Sequence, residues 1–307
     1  MEHGTDSVIK IEHLCKSFGD LKAVDDLSFQ VRKGELFAFL GVNGAGKSTT
    51  ISIMCGMLKK DSGKVFIDNR DVDCDMRDIA KSIGVVFQNS VLDSALSVRE
   101  NLYTKAGLYG LFGKERDEVI DRLASELDFK KLMKRKVGKL SGGQRRKIDV
   151  ARALLSSPKI LILDEPTTGL DPQTRKTLWN VIDDYRKNQG MTVLLTTHYM
   201  EEVADADYVV ILDSGKISAE GTPLMLKNRY TGDFITLYHA DEEEVKKLGL
   251  VYELLPDAIR IEVKDTEEAK KLIVRYPDLF VDFEIVKGKM DDVFLSVTGK
   301  KLTGGEK

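Results

Sequence analysis

Cysteine is scarce in this chain: Cys15, Cys55 and Cys74 are the three among 307 residues. Their spacing fits no metal-ligand pattern and no secreted disulfide framework, so reduced thiols of a cytosolic protein are expected. Long apolar runs are missing as well. Ile160 to Leu163, Val193 to Leu195 and Val209 to Leu212 are the longest, far short of the ~20 residues that span a bilayer. Charge of one sign is not in excess, with 47 Lys+Arg against 50 Asp+Glu. That balance gives no overall basic footprint, and no nucleic-acid partner is expected. Glu2, His3 and Asp6 open the chain without the basic start and apolar centre of a secretory leader. Long internal repeats are also lacking. At roughly 150 residues per domain, the length suggests one large domain and one small one.

What is present is an ordered alternation of elements. Val8 to Leu14 and Leu27 to Val31 alternate apolar and polar residues, the pattern of half-exposed antiparallel strands. Leu36 to Leu40 is continuously apolar, as a strand buried on both faces of a parallel sheet must be. Further buried strands are predicted at Ile83 to Phe87, Lys159 to Leu163, Thr192 to Thr196 and Tyr208 to Leu212. Helices are predicted at Ser48 to Leu58, Gln173 to Gln189 and Met200 to Ala204. This is an α/β core with a mainly parallel sheet. Residues 89–158 read as a helical subdomain, and Ser97 with Glu100 fits a capping box at one of its helix starts. Residues 222–307 read as a small α+β domain following a cassette of residues 1–221. Its strands are predicted at Phe234 to Tyr238, Ala258 to Val263 and Leu279 to Val286, its helices at Thr266 to Arg275 and Met290 to Val297. Phe280, Phe283 and Phe294 fit either its core or a partner surface.

Gly41-Val42-Asn43-Gly44-Ala45-Gly46-Lys47-Ser48 fits G-x-x-x-x-G-K-[ST] between a strand and a helix, the context of a phosphate-cradling loop. Gly41, Gly44 and Gly46 allow close backbone approach. The loop amides, through Asn43 and Ala45, and those opening the helix, through Thr49, point donors at phosphate. Lys47 adds a positive charge, and the Ser48 hydroxyl suits Mg²⁺. Asp164 and Glu165 end a buried strand at the sheet edge where α/β proteins bind ligands, which makes Asp164 a candidate Mg²⁺ residue. By themselves two adjacent acids would read as solvated turn residues, and the glycine loop is what changes that reading. Ser141-Gly142-Gly143-Gln144 precedes a helix with Ile148, Ala151, Leu154 and Leu155 at helical spacing. Ser141 is its N-cap candidate, and its open amides form an anion site. Arg145, Arg146 and Lys147 crowd the positive end of that helix, a conflict that an arriving anion would relieve, unless the side chains splay into water, as at least one of the three is expected to do.

The glycine loop, Leu140-Ser141-Gly142-Gly143-Gln144 and Ile160-Leu161-Ile162-Leu163-Asp164-Glu165, in this order, resemble an ATP-binding cassette (ABC) ATPase over residues 8–221. The resemblance implies a P-loop ABC ATPase fold with an antiparallel β subdomain, and it implies ATP and Mg²⁺. It makes Glu165 the general base, His198 the switch histidine on the γ-phosphate, and Gln88 the glutamine touching Mg²⁺ and water. Phe18 would stack on adenine, and Asp171 would communicate across a dimer interface. Because the Ser141–Gln144 loop of one cassette closes on ATP held by another, two copies would pair head to tail.

Gln144-Arg145-Arg146-Lys147-Ile148-Asp149 and Met290 to Gly299 look like the drug-resistance-type exporter ATPases, relatives of daunorubicin and sodium exporters. Those proteins work with separately encoded membrane subunits at the cytoplasmic face of the membrane. The resemblance thus implies a peripheral subunit powering export of a drug-like, lipid-like or ionic substrate. The alternative is a soluble ABC ATPase of translation or DNA repair. Translation factors usually hold two cassettes, and repair ATPases separate the two motifs by a long coiled coil. Here one cassette is present and the motifs lie about 100 residues apart, within one domain length.

Overall fold

The computed structural model describes residues 7–300, so the leader reading of Glu2, His3 and Asp6 lies outside the described residues. Ser7–Phe18 (β1) and Leu21–Arg32 (β2) pair as an antiparallel hairpin longer than the alternation predicts. Register shifts interrupt β1, where His13 takes φ 49°, and Asp26 on β2 takes φ 59°; such bulges break a period-2 pattern without ending the strand. Leu36–Gly41 (β3) is buried throughout and feeds Lys47–Met54 (α1). The helix stops before the predicted Leu58, because the chain turns through Gly56 at φ 68°. Ser62–Ile67 (β4), Arg70–Asp71 (β5) and Met76–Ser82 (α2) follow, three elements the pattern did not reveal, and then Ile83–Val86 (β6).

The next stretch is helical. Val98–Leu108 (α3) carries the Ser97–Glu100 capping box, Ser97 Oγ accepting from Glu100 N at 3.2 Å and Glu100 Oε2 from Ser97 N at 2.7 Å. Gly113–Glu126 (α4) and Gly142–Leu154 (α5) complete the stretch, with 3₁₀ turns between them. Ile160–Asp164 (β7), Pro172–Gln189 (α6), Thr192–Thr196 (β8), Met200–Ala204 (α7), Tyr208–Asp213 (β9) and Lys216–Gly221 (β10) follow. Six strands form one sheet in the order β10-β9-β3-β8-β7-β6, with β9, β3, β8, β7 and β6 parallel. Ser214 and Gly215 (φ 50° and 81°) join β9 to β10 in a two-residue turn, a connection that only antiparallel strands allow.

A second sheet, β2-β1-β4-β5, covers one side of this core. Phe29 of β2 stacks on Phe37 of β3 with centroids 5.2 Å apart, and both join one cluster with Ile9, Leu14, Ile51 and Leu194. The parallel register sets Phe39 beside Thr196, Thr196 beside Asp164 and Leu163 beside Val86. The carboxyl ends of β3, β8, β7 and β6 therefore share one edge. That edge carries the glycine loop, His198, the acidic pair and Gln88.

The chain divides into two compact units, residues 1–218 and 219–307, the division falling within β10. The second unit contains Pro223–Tyr230 (α8), Asp233–Tyr238 (β11), Glu242–Lys246 (α9), Tyr252–Leu255 (β12), Ala258–Val263 (β13), Thr266–Arg275 (α10), Phe283–Lys287 (β14) and Met290–Thr298 (α11). Its sheet runs β12-β13-β11-β14, all antiparallel. Ile235, Leu237, Ile259 and Ile261 form its core with Phe280 and Ala269 of α10. Phe280 is 4 % exposed and meets Phe283 edge-on, so these rings serve packing. Among the described residues no helix is long and apolar enough to cross a membrane.

Candidate functional site

The glycine loop has a geometry that side chains would block. Gly46 takes φ 105°, and a Cβ there would lie 2.4 Å from the Ala23 carbonyl oxygen of β2. Gly41 is pressed between Ala45 and the Leu212 carbonyl, each 2.8 Å from a built Cβ, while Gly44 takes φ 84° with open space around it. Ala45 places its methyl in the core and donates its N–H to Val42 O at 3.1 Å; Asn43 is exposed at the loop tip. Lys47, Ser48 and Thr49 open α1, where the first backbone N–H groups have no partner within the helix. Lys47 is 5 % exposed and donates to Gly41 O at 2.5 Å and Val42 O at 3.2 Å. Burial lowers its pKa from the ordinary lysine value, opposed by the nearby charges of Glu165 and Asp164. Phe18 is 51 % exposed on β1, whose Lys16 pairs with Val24 of β2; Val24 and Ala23 are the residues that abut Gly46.

The acidic pair follows β7. Asp164 Oδ1 accepts from Thr196 Oγ1 at 2.7 Å, and the same hydroxyl accepts from Glu165 N at 3.0 Å. Glu165 takes φ 48°, a left-handed conformation that costs a non-glycine residue about 1–3 kcal/mol. Three side chains converge on its carboxylate. His198 Nε2 is 2.6 Å from Oε1, Gln88 Nε2 donates to Oε2 at 3.1 Å, and Thr168 Oγ1 is 3.4 Å from Oε2. His198 Nδ1 is buried without a hydrogen-bond partner.

Ser141 caps α5 as its position predicts, accepting from Gln144 N at 3.2 Å. Gln144 Oε1 accepts in return from Ser141 N at 3.1 Å, so Gln144 closes a capping box that the sequence reading missed. Asp171 caps α6, accepting from Thr174 N at 2.9 Å and Thr174 Oγ1 at 2.7 Å. Those bonds lower its pKa from the usual carboxylate value. Gly142 is exposed, whereas a Cβ on Gly143 would lie 3.7 Å from Asp171 Oδ2. Ser141, Gly143, Gln144 and Asp171 line an open cavity of about 450 Å³ with Lys131 and Lys147. The sequence-predicted residues thus fall into two groups. Lys47, Gln88, Asp164, Glu165 and His198 meet at the sheet edge, while Ser141–Gln144 and Asp171 meet at this cavity.

The reading of Arg145, Arg146 and Lys147 as cations awaiting an anion needs correction for Arg146 and Lys147. Arg146 is 9 % exposed and turns inward, donating to Phe87 O at 2.6 Å, Gln88 O at 2.9 Å and Glu165 O at 3.4 Å. Lys147 pairs with Asp128 at 3.6 Å. Carbonyls and a carboxylate of the same chain already meet these charges. One turn further along α5, Asp149 accepts from Ser90 Oγ at 3.0 Å. Arg146 and Asp149 therefore fasten both shoulders of Gln88 to α5. Nothing in an Arg-Arg-Lys run distinguishes the buried arginine from its neighbours, so this seam was invisible in the sequence.

The oxygen donors present suit Mg²⁺, which takes one or two carboxylates together with phosphate oxygens and water. Asp164, the Ser48 hydroxyl and the Gln88 amide oxygen provide such a set. Among the described residues no three His, Cys, Asp or Glu side chains form a preformed metal cage.

Comparison with known proteins agrees with this geometry. Residues 24–168 match the family model described as ABC transporter. The chain is 36 % identical over 306 residues to the Nod factor export ATP-binding protein I of Rhizobium sp. (strain N33), covering 94 % of this chain and 95 % of that one. It is 35 % identical over 313 residues to the doxorubicin resistance ATP-binding protein DrrA of Mycobacterium tuberculosis (strain CDC 1551 / Oshkosh), covering 95 % and 94 %. Its fold matches the dimeric post-hydrolysis state of the ATP-binding cassette MJ0796 bound to ADP and Pi with a TM-score of 0.65 and 26 % identity, over 70 % of this chain and 98 % of that one. A glycine loop of phosphate-cradling form, an acidic pair whose Glu165 is met by glutamine and histidine, and similarity to export ATP-binding proteins along nearly the whole chain lead to one conclusion: the chain belongs to the ABC transporter family, as one of its ATP-hydrolysing subunits.

Proposed function

We propose that this subunit powers export of a drug-like, lipid-like or ionic substrate through separately encoded membrane subunits, peripherally at the cytoplasmic face of the membrane. The convergence of His198, Gln88 and Thr168 on the Glu165 carboxylate carries the reading. In this reading the loop amides and Lys47 hold the β- and γ-phosphates of ATP, and Phe18 stacks on adenine. Glu165 takes a proton from water as its oxygen attacks the γ-phosphorus, and the bond to ADP breaks. Gln88 and His198 orient that water and the γ-phosphate. Ser48, Asp164 and Gln88 would hold Mg²⁺, which would supply positive charge against that developing on the phosphates. The similarity to export proteins along nearly the whole chain favours a transporter subunit over a soluble ATPase of translation or repair.

Two copies would work head to tail, Ser141–Gln144 of one closing on ATP held by the other, with Asp171 at the interface. The dimeric MJ0796 cassette supports this arrangement, as does the separation of the two residue groups within one chain. Leu108 and Phe112, 75 % and 64 % exposed at and just after the end of α3, are the apolar surface offered to a membrane partner. The decisive experiment uses Glu165→Gln protein and light scattering. ATP with Mg²⁺ should convert monomer to dimer, and adding Ser141→Arg should prevent it. In vesicles with the membrane subunit, Leu108→Glu with Phe112→Glu should stop transport while basal ATPase persists. Equal dimerisation of the Ser141→Arg protein would sink the composite site, and ATPase stimulation by ribosomes alone would move the protein to the soluble class.

A further inference from the structure

Glu202 on α7 is a buried carboxylate, 6 % exposed, that the chemistry above does not use. Its Oε1 accepts from Thr167 Oγ1 at 2.6 Å and from Trp179 Nε1 at 2.8 Å, and its Oε2 accepts from Thr197 Oγ1 at 2.5 Å. Burying a carboxylate is costly unless donors satisfy it. These three donors come from three different segments. Thr167 stands two residues after Glu165 in the turn that follows β7. Trp179 lies on α6. Thr197 immediately precedes His198 in the turn that follows β8.

The Thr197 hydroxyl also accepts the Tyr199 N–H at 2.9 Å. This closes a short turn with His198 at its centre. Glu202 orients that hydroxyl and at the same time holds the turn that carries Glu165. We propose that Glu202 is a positioning residue for ATP hydrolysis, clamping the turn that carries His198 beside the turn that carries Glu165. The proposal rests on the roles given above to Glu165 and His198. It extends them to a carboxylate whose two oxygens accept from Thr167, Trp179 and Thr197. Trp179 is the single tryptophan of the chain, so its indole emission reports directly on this carboxylate.

The test uses the full chain. Glu202→Ala should lower kcat about tenfold or more, the scale expected when an acting group is misplaced, with KM for ATP nearly unchanged. Its Trp179 emission should shift. Glu202→Gln keeps an oxygen for Thr167 and Trp179 and can donate to Thr197, so it should recover most of kcat. Thr197→Val keeps shape and removes only the hydroxyl; it should lose turnover as Glu202→Ala does, and it decides the matter if the alanine variant fails to fold. A double variant of Thr197→Val and His198→Ala should be no slower than His198→Ala, because both act at one place. Wild-type kcat in Thr197→Val, or additive losses in the double variant, would overturn the proposal. Wild-type turnover in His198→Ala, where Glu202 is intact, would instead refute the underlying role of His198.

Discussion

His198 Nε2 lies 2.6 Å from Glu165 Oε1, with the two side chains only 15 % and 9 % exposed. The imidazole therefore covers one oxygen of the carboxylate that activates water in the proposed mechanism, and Gln88 covers the other. A nucleotide that draws His198 and Gln88 to itself would release the base at the moment it is needed.

Glu165→Gln keeps the shape of that side chain and removes its capacity to take a proton. Turnover should fall by about 100-fold or more, the range of general-base contributions, while ATP affinity stays close to wild type. Phosphate release and nucleotide binding measured on the same preparation check this.

Arg146→Lys should separate charge from geometry. A lysine ammonium cannot reproduce the fork that reaches Phe87 O and Gln88 O together. The variant should lose about 1–3 kcal/mol of stability, the scale of hydrogen bonds from a charged donor. It should also hydrolyse ATP more slowly, because Gln88 loses an anchor. Denaturant melts with parallel ATPase assays give both values.

Asp149 offers a test in pH. Burial raises its pKa above the ordinary 3.8 even with Arg146 and Arg152 nearby. The folded state thus favours the protonated form: that contribution is whole below 3.8 and is lost as pH rises through the higher folded value. Asp149→Asn keeps an acceptor for Ser90 without the charge. It should melt above wild type at neutral pH, and the difference should shrink as the solution is acidified. Thermal melts across a pH series will show the trend or its reverse.

Gly46→Ala meets two obstacles, a φ of 105° and a Cβ placed 2.4 Å from the Ala23 carbonyl. The first alone costs about 1–3 kcal/mol. ATP binding should be lost, and the melting point should drop. Gly44→Ala has the same backbone handicap with open space around it, so it should retain more of both properties.

The residues at the sheet edge were legible because their chemistry is local. A loop needs glycine for positive φ, and a buried strand is continuously apolar because water reaches neither face. From these rules Lys47, Asp164 and Glu165 could be placed at one edge, and the resemblance added His198. Gln88 and Phe18 were found through resemblance alone, since one amide or one ring carries no local signal. The full lengths of β1 and β2 escaped because the bulges at His13 and Asp26 break the alternation, and β4, β5 and α2 escaped because elements of two to seven residues carry too few repeats to show a period.

By itself the sequence determined the buried strands of the parallel core, the glycine loop, the caps at Ser97 and Ser141, and the family. Tertiary structure alone decided which polar side chains are buried. Arg146, Asp149 and Glu202 look like surface residues in one dimension, because their partners lie far along the chain: Phe87 for Arg146, Ser90 for Asp149, Thr167 for Glu202. A polar group can be buried only where such partners replace water, and the parallel packing of β6, β7 and β8 is what brings them within reach.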